Sequence, residues 1–189
     1  MGSFHGLGLS NQFLIAMPAL ADPNFEKTVT LICQHNEHGA LGIVINRTTD
    51  LTLGDILSQL DIPHEEMRNA GNPIYNGGPV GTEQGLILHE PTMEWDSTLK
   101  VSADLALTTS RDILVAMAEN RGPRRSLLAL GYAGWSGGQL EHEMKQNAWL
   151  SGPVDQDIIF EAPVEQRWTR AAASMGVDLS LLSSQAGHA

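Results

Sequence analysis

The stretch from residue 131 to residue 143 combines four glycines with tryptophan, glutamine, glutamate and histidine side chains, a mixture that a plain hydrophobic core does not need. Within it, residues 134–138 read G-W-S-G-G and match the G-x-S-x-G pattern of hydrolases, in which a sharp turn between a strand and a helix exposes a nucleophilic serine. The downstream residues that could complete a catalytic triad are Asp155 or Asp157, followed by His188. Because so short a pattern also describes an ordinary tight turn, we interpret Ser136 as a turn residue.

A second candidate nucleophile is Cys33, which lies two positions before His35 on a predicted strand. Side chains at positions i and i+2 of a strand share one face, so the two could form a thiolate–imidazole pair. The apolar neighbours Leu31 and Ile32 favour the simpler interpretation that Cys33 is a small core residue.

Histidines lie next to carboxylates at three places, namely residues 35–38, 89–90 and 141–143. If these places converge in space, His35 or His89 could act as a general base. Glu141 or Glu143 could then act as an acid or ligand, and the helix predicted after Gly138 could hold an anion. The favoured alternative is that the histidines hydrogen-bond to the backbone at strand ends. The spacing matches neither a helical H-x-x-x-H pair nor a zinc knuckle, so we predict no metal site and no cofactor.

A glycine-rich bend occupies residues 76–85. It lacks the lysine of a phosphate-binding loop and leads into a predicted strand rather than a helix, so it is not a nucleotide fingerprint. We interpret it as a wide turn. Gly77 and Gly78, followed by Pro79, would allow a ligand or another backbone segment to approach closely.

The chain is acidic, since 11 Lys and Arg against 22 Asp and Glu give a formal net charge of -11 at pH 7. Such a chain is repelled by phosphate backbones unless its basic residues cluster. The densest basic group is Arg121, Arg124 and Arg125, for which a solvated helix end is the favoured interpretation and a small-anion site the alternative. We therefore do not expect direct nucleic-acid binding.

The 189 residues contain no apolar run near the ~18 residues that a membrane-spanning helix needs. The first ten residues do not combine a basic region with an apolar core, which argues against a secretory signal. The one cysteine cannot form an internal disulfide. These features predict a cytoplasmic protein without a membrane partner.

Hydrophobic periodicity and turn residues predict the secondary structure. Strands are predicted at residues 12–17, 28–35, 40–46, 74–76, 85–89, 126–133 and 157–160, with another candidate at 98–102. Helices are predicted at 52–60 with Thr52 as N-cap, at 109–121, at 139–147 and from Pro163 to about 175.

Neighbouring strands in this order lie too close together for parallel crossover connections. The expected fold class is therefore α+β, a mixed, partly barrel-like β-sheet with flanking α-helices. Residues 1–11 are predicted to be a flexible N-terminal segment, and residues 12–189 a single compact domain. The polar linker at residues 63–72 is the candidate boundary between two closely packed subdomains.

Several ordered blocks of the sequence resemble the YqgE/AlgH family of bacterial proteins, from about residue 12 to residue 189. The blocks are residues 13–18 with Asp22 and Phe25, residues 35–42 with Asn46, residues 77–79 with 88–89, and residues 131–135, 138–143, 147–150 and 186–189.

This resemblance implies a compact α+β arrangement of mixed sheet and helices, and no established biochemical activity. The name of one branch implies a regulatory link to exopolysaccharide (alginate) production, and members are often labelled transcriptional regulators. Because the chain is acidic and shows no helix-turn-helix pattern, regulation through a protein or small-molecule partner fits better than direct DNA reading.

Two hypotheses follow, and they leave open whether the chain is an enzyme. The first is a cytoplasmic regulatory or binding protein, which would expose an apolar patch centred on Trp135 or Trp149. The alternative is a hydrolase or transferase, which requires His35, His89 and Glu141 to converge in one pocket. The predicted binding residues are His35, Asn36, Gly77, Gly78, Pro79, His89, Trp135, Gln139, Glu141 and Glu143.

Overall fold

The computed structural model describes residues 8–186, the last four of them as backbone only. The strands are β1 (Gln12–Ala16), β2 (Val29–Asn36), β3 (Gly39–Val44), β4 (Thr48–Thr52), β5 (Pro73–Asn76), β6 (Val80–His89), β7 (Thr98–Lys100), β8 (Ala106–Thr108), β9 (Ser126–Ser136) and β10 (Trp149–Pro153). The helices are α1 (Leu53–Gln59), α2 (Arg111–Ala118), α3 (Gln139–Lys145), α4 (Gln156–Phe160), α5 (Arg167–Ala173) and α6 (Leu179–Ala186), with a 3₁₀ turn at Val164–Gln166.

Within the described residues, these strands form one ten-stranded sheet. Its main path runs in the order β10-β1-β2-β3-β9-β6-β8-β7, and β4 and β5 branch from it through a pairing of β5 with β9. The β5–β9 pair is parallel, while the other pairings are antiparallel. The sheet is mixed and carries helices, so the predicted α+β class is confirmed.

The long strand β9 joins the two parts of the sheet. Its first half pairs with β6 on one edge and β5 on the other, whereas its second half pairs with β3. Between the halves, Gly131 has a φ of 78°, and a Cβ there would lie 2.5 Å from the carbonyl oxygen of Gly78. Glycine therefore permits the change of partner, and β9 ends beside the turn between β2 and β3.

Buried apolar side chains form clusters on both faces of the sheet. One cluster lies under α4 and α5, and a second lies under α1 and α2. A third cluster is smaller and contains Leu140 of α3 with residues of the sheet, namely Leu14, Ile32, Trp135 and Trp149. The helices, of at most eight residues each, depend on this packing for stability. In the range 8–186, no helix is long and apolar enough to cross a bilayer.

The prediction of a strand at residues 157–160 is wrong, because these residues belong to helix α4. The side chain of Asp155 caps this helix by accepting a hydrogen bond from the Asp157 N–H at 3.0 Å. Ile158 and Ile159 are both buried. The apolar run Ile158–Phe160 has only three residues and looks the same in a buried strand and in one turn of a buried helix, so periodicity did not separate the two.

Candidate functional site

His35 and Glu141 are 106 residues apart in sequence and form a close side-chain pair. His35 lies near the end of β2, and Glu141 lies in the first turn of α3. The imidazole Nε2 is 2.5 Å from Glu141 Oε1, and the exposed fractions of the two side chains are 1% and 31%. The pair thus connects the sheet to α3 at the edge of the protein surface.

The other ring nitrogen of His35 is also engaged. The backbone N–H of Leu9 donates to His35 Nδ1 at 3.1 Å. Because a backbone N–H can only donate, Nδ1 carries no proton and Nε2 donates its proton to the carboxylate of Glu141. In this arrangement the imidazole has no lone pair left for a general base, and it acts as a structural link.

The same contacts fix the chain before β1. Ser10 Oγ accepts a hydrogen bond from the His35 N–H at 2.9 Å, and the Asn11 N–H donates to the Ile32 carbonyl at 2.8 Å. Residues 9–11 belong to the segment predicted as flexible, and here they lie along β2. Residues 1–7 lie outside the described part of the chain.

Glu143 holds two tryptophans together. Its Oε1 accepts hydrogen bonds from Trp135 Nε1 at 3.2 Å and from Trp149 Nε1 at 3.0 Å. The two indoles lie edge to face with ring centres 6.1 Å apart, and Phe25 packs against both. Trp135 and Trp149 are only 6% and 4% exposed, so the predicted exposed aromatic patch is wrong, and the regulatory hypothesis loses the support that this patch would have given. The indoles are buried because one carboxylate satisfies both polar N–H groups.

The serine of the G-x-S-x-G pattern is the last residue of β9, directly before the turn at Gly137 and Gly138, and it has no catalytic partners in the described residues. Gln139 Oε1 accepts hydrogen bonds from the Ser136 N–H at 3.0 Å and from its hydroxyl at 3.3 Å. Asp155 caps α4, and Asp157 bonds to Arg125. The remaining triad candidate, His188, lies outside the described residues. The contacts of Ser136 agree with its interpretation as a turn residue.

Cys33 and His35 lie on opposite faces of the sheet, so the prediction that they share a face is wrong. A β-bulge at Cys33 shifts the pairing of β2 with β3 between Ile32 and Gln34, which breaks the alternation of side chains. Cys33 packs in the cluster under α4 and α5, whereas Ala40, which pairs with His35, packs against the third cluster with Trp135 and Trp149. Burial raises the pKa of the Cys33 thiol to about 12, which keeps it protonated and unreactive.

The glycines of the predicted bend lie inside the sheet. The Gly77 N–H donates to the Leu130 carbonyl at 2.9 Å, and the Gly77 carbonyl accepts from the Val44 N–H at 2.9 Å. Gly77 and Gly78 are buried, while Pro79 is exposed and borders a cleft of about 210 Å³. The close approach here is therefore that of another backbone segment.

His89 lies far from the His35–Glu141 pair. His35 pairs with Ala40, which in turn pairs with Trp135 near the end of β9. His89 pairs with Ser126, which lies nine residues before Trp135 on β9. At ~3.3 Å per residue, roughly 30 Å of strand separates them. The convergence of His35, His89 and Glu141 that the hydrolase or transferase hypothesis requires is not present. In residues 8–186, no group of three or more His, Cys, Asp or Glu is placed to hold a metal ion.

The structure brings most of the other predicted binding residues together at one corner. This corner, called here the hairpin corner, consists of the β2–β3 turn, the end of β9 and the start of α3, and it contains His35, Asn36, Trp135, Gln139, Glu141 and Glu143. Its surface has a cavity of about 230 Å³ lined by Gln34, Asn36, His38, Gly39, Ala40, Leu41 and Trp135.

A family model described as AlgH-like matches residues 13–180. The chain belongs to this AlgH-like family. Its curated relatives include UPF0301 proteins of Methylococcus capsulatus and Thioalkalivibrio sulfidiphilus, which are 59% and 57% identical over 180 residues and are each covered to 96%, against 95% of this chain. The recognised resemblance is thereby confirmed.

Solved structures agree with this assignment to the AlgH-like family. The solution structure of the AlgH protein from Pseudomonas aeruginosa matches with a TM-score of 0.80, 49% identity and full coverage of both chains. A crystal structure of a Corynebacterium diphtheriae protein matches with a TM-score of 0.74 over 94% of this chain and 93% of the other. At 20% identity, the second comparison shows the shared fold alone.

Several residues of the AlgH-like hairpin corner were not predicted from the sequence. Leu9 and Ser10 were predicted only as part of a flexible segment, although they bond to His35. Phe25 was noticed only as part of a family block, and it packs on both buried indoles. Gln34 and His38 line the cavity, and exposed polar residues beside the predicted turn were the available signal. For Leu9 and Ser10 the local sequence offered no signal.

In the AlgH-like fold, His89 is a buried, neutral histidine. It is 0% exposed, its Nδ1 donates to the Glu90 carbonyl at 2.8 Å, and the Thr108 hydroxyl donates to its Nε2 at 2.7 Å. Burial away from water lowers the pKa of His89 below the ordinary value of 6.5. The bonded neutral ring agrees with the interpretation of a structural histidine at a strand end.

The lowered pKa of His89 predicts a loss of stability in acid. Above pH 6.5 the imidazole is neutral in both states, so its contribution is fully present there. As the pH falls below 6.5, the unfolded chain binds the proton first, and the free energy of unfolding should drop by up to about 1.4 kcal/mol per pH unit. Urea unfolding between pH 7.5 and 5 should show a steeper pH dependence for wild type than for His89→Gln. If the free energy of unfolding changed equally with pH in wild type and in His89→Gln, this account would be contradicted.

Proposed function

We propose that this AlgH-like protein is a cytoplasmic regulatory protein that binds another protein through the hairpin corner and does not itself read DNA. In this proposal it affects exopolysaccharide (alginate) gene expression indirectly, through that partner. The observation that carries the proposal is the arrangement of the hairpin corner. Its buried and partly buried side chains bond to one another and are called here the base, and its exposed polar side chains around the cavity are called the rim. Binding residues are commonly placed on loops that a rigid scaffold positions.

The base of the hairpin corner consists of side chains that satisfy one another. His35 bonds to Glu141 and Leu9, and Glu143 bonds to Trp135 and Trp149. Locked side chains of this kind keep the surrounding surface in one conformation and reduce the entropy lost on binding. The base therefore supports a preformed binding surface better than a proton-transfer site.

The rim carries hydrogen-bonding groups that the base does not use. Gln34 and His38 are exposed, and Asn36 holds the turn by accepting the His38 N–H at 2.8 Å. The cavity between them, of about 230 Å³, is smaller than the ~300–1,000 Å³ of typical small-molecule sites. This size suits one inserted side chain of a partner protein better than a metabolite.

Charge favours a basic partner. The corner carries Glu37, which is exposed, and Glu141, which is partly exposed, and the whole chain has a formal net charge of -11. A positive surface would be attracted to this corner, whereas nucleic acid would be repelled. A lysine or arginine of the partner would be attracted by Glu37, which lies between the cavity-lining residues Asn36 and His38.

The proposal is tested by placing a photo-crosslinking amino acid at His38 in living cells and identifying the captured protein by mass spectrometry. The purified partner is then titrated against wild type and against Gln34→Arg, which adds bulk and positive charge at the cavity. We expect the variant to weaken binding at least about tenfold, a loss of about 1.4 kcal/mol, and raised salt to weaken wild-type binding.

Gln166→Arg is the matched control, because it makes the same exchange at an exposed position before α5. It should leave the affinity within about twofold of wild type. Equal affinities for wild type and Gln34→Arg would remove the hairpin corner as the binding surface. Specific, saturable binding of duplex DNA at physiological salt would contradict the proposed indirect mechanism.

A further inference from the structure

A groove outside the hairpin corner concentrates positive charge in this acidic chain. It lies where the linker after α1, the end of α2 and the start of β9 meet, and its volume is about 470 Å³. Arg68, Arg124 and Arg125 line it, which places three of the chain's 11 basic residues around one cavity. The lining acid is Glu161.

The three arginines differ in how they are neutralised. Arg125 bonds to Asp157 at 2.9 Å and to Glu161 at 2.5 Å, with Glu90 at 3.6 Å, so its charge is compensated. Arg68 and Arg124 are exposed and have no carboxylate within 4.0 Å in residues 8–186. Glu161 is occupied by Arg125, so two guanidinium groups at this groove remain available to an external anion.

The wall that carries Arg68 is held in place by a side chain of the opposite wall. Asn120, just after α2, accepts the Arg68 N–H through Oδ1 at 3.0 Å. Its Nδ2 donates to the Glu66 carbonyl at 2.9 Å. These two bonds fix the linker backbone across the groove, so the point from which the Arg68 side chain extends is set without a ligand.

The groove also has an apolar side. Leu53, Met67, Met117 and Phe160 contribute to its lining. The volume lies within the ~300–1,000 Å³ range of small-molecule sites, and the mostly polar lining with one apolar side suits a polar ligand that carries an apolar body. Guanidinium groups recognise phosphate through paired hydrogen bonds, and two free ones match the charge of a phosphate monoester near neutral pH.

We propose that this groove binds a small soluble phosphate monoester with an apolar body, its phosphate held by Arg68 and Arg124. The apolar body lies against Met117 and Phe160. This site lies outside the hairpin corner and does not depend on the function proposed for that corner.

Phenyl phosphate is a suitable probe, since it joins a phosphate to an apolar ring of fitting size. Its titration into ¹⁵N-labelled protein should give saturable amide shifts at residues 66–72 and 120–126. Inorganic phosphate, which lacks the ring, should bind more weakly at the same place, and benzyl alcohol, which lacks the phosphate, should not saturate. The double variant Arg68→Gln/Arg124→Gln should weaken phenyl phosphate binding at least about tenfold.

Lys100→Gln/Arg170→Gln is the control, because it removes the same charge from two exposed residues that line no part of this groove. It should keep the affinity within about twofold of wild type. The proposal is overturned if phenyl phosphate does not saturate, or if both double variants bind it as wild type does. Equal saturation by benzyl alcohol would also overturn it, because binding would then owe nothing to the arginines.

Discussion

The Gly78→Ala variant should be strongly destabilised. Gly78 has a φ of 150°, and a Cβ there would lie 2.1 Å from the carbonyl carbon of Tyr132 in β9. Because the obstacle is backbone in the central strand, neither side can move without breaking the sheet. We expect a loss above about 4 kcal/mol, a large part of the 5–15 kcal/mol by which domains are stable. Circular dichroism and urea unfolding of purified protein would measure it.

Gly138→Ala is the matched control for backbone conformation. Gly138 also has a positive φ, 79°, but its Cβ would meet no atom within 4 Å. The variant should lose only about 1–2 kcal/mol, the usual cost of a left-handed conformation for alanine. If both variants lost similar amounts, the contact between Gly78 and β9 would not be the cause, and the account of this bend would be wrong.

Replacement of Glu143 by leucine should strongly destabilise the protein. Leucine has a similar size but no acceptor, so the N–H groups of Trp135 and Trp149 would lose their partner while remaining buried. An unsatisfied buried donor costs about 1–3 kcal/mol, and two predict a loss of about 2–6 kcal/mol. Urea unfolding followed by tryptophan fluorescence would report both the stability and the environment of the rings.

Glu143→Gln separates hydrogen bonding from the presence of a long side chain. Glutamine keeps one carbonyl acceptor, so we expect it to recover more than half of the stability lost in Glu143→Leu. Lys145→Leu, two residues further along α3 at an exposed position, should change stability by less than about 0.5 kcal/mol. Equal stabilities for Glu143→Leu and wild type would show that water satisfies the indoles and that the carboxylate is dispensable.

Local sequence predicted the elements whose signals lie within a few residues of one another. Thr52 caps α1 as expected, with its side chain accepting the Asp55 N–H at 3.2 Å and the Asp55 carboxylate accepting the Thr52 N–H at 2.8 Å. The stripe of Ile113, Leu114 and Met117 is buried on α2 as predicted. Capping and periodicity act over one or two turns, so a single segment contains all the information they need.

The chemistry of the candidate site depended on contacts between distant segments. Trp135 and Trp149 were expected at the surface because an indole combines a large apolar area with a polar N–H, which suits a binding surface. Their burial depends on Glu143, which satisfies both rings, and on Phe25, more than a hundred residues earlier. No local pattern states which carboxylate will face which indole.

The sequence by itself determined the α+β class, most strands, the capped start of α1 and the membership in the AlgH-like family, because these follow from short-range patterns and ordered motifs. Only the tertiary structure decided which polar residues meet. In the folded chain, His35 contacts Glu141, and His89 on β6 pairs with Ser126 at the opposite end of β9. One bulge places Cys33 and His35 on opposite faces of the sheet. A single inserted residue reverses the face of every later side chain on a strand, so sheet register, which long-range pairing sets, decides the composition of the site.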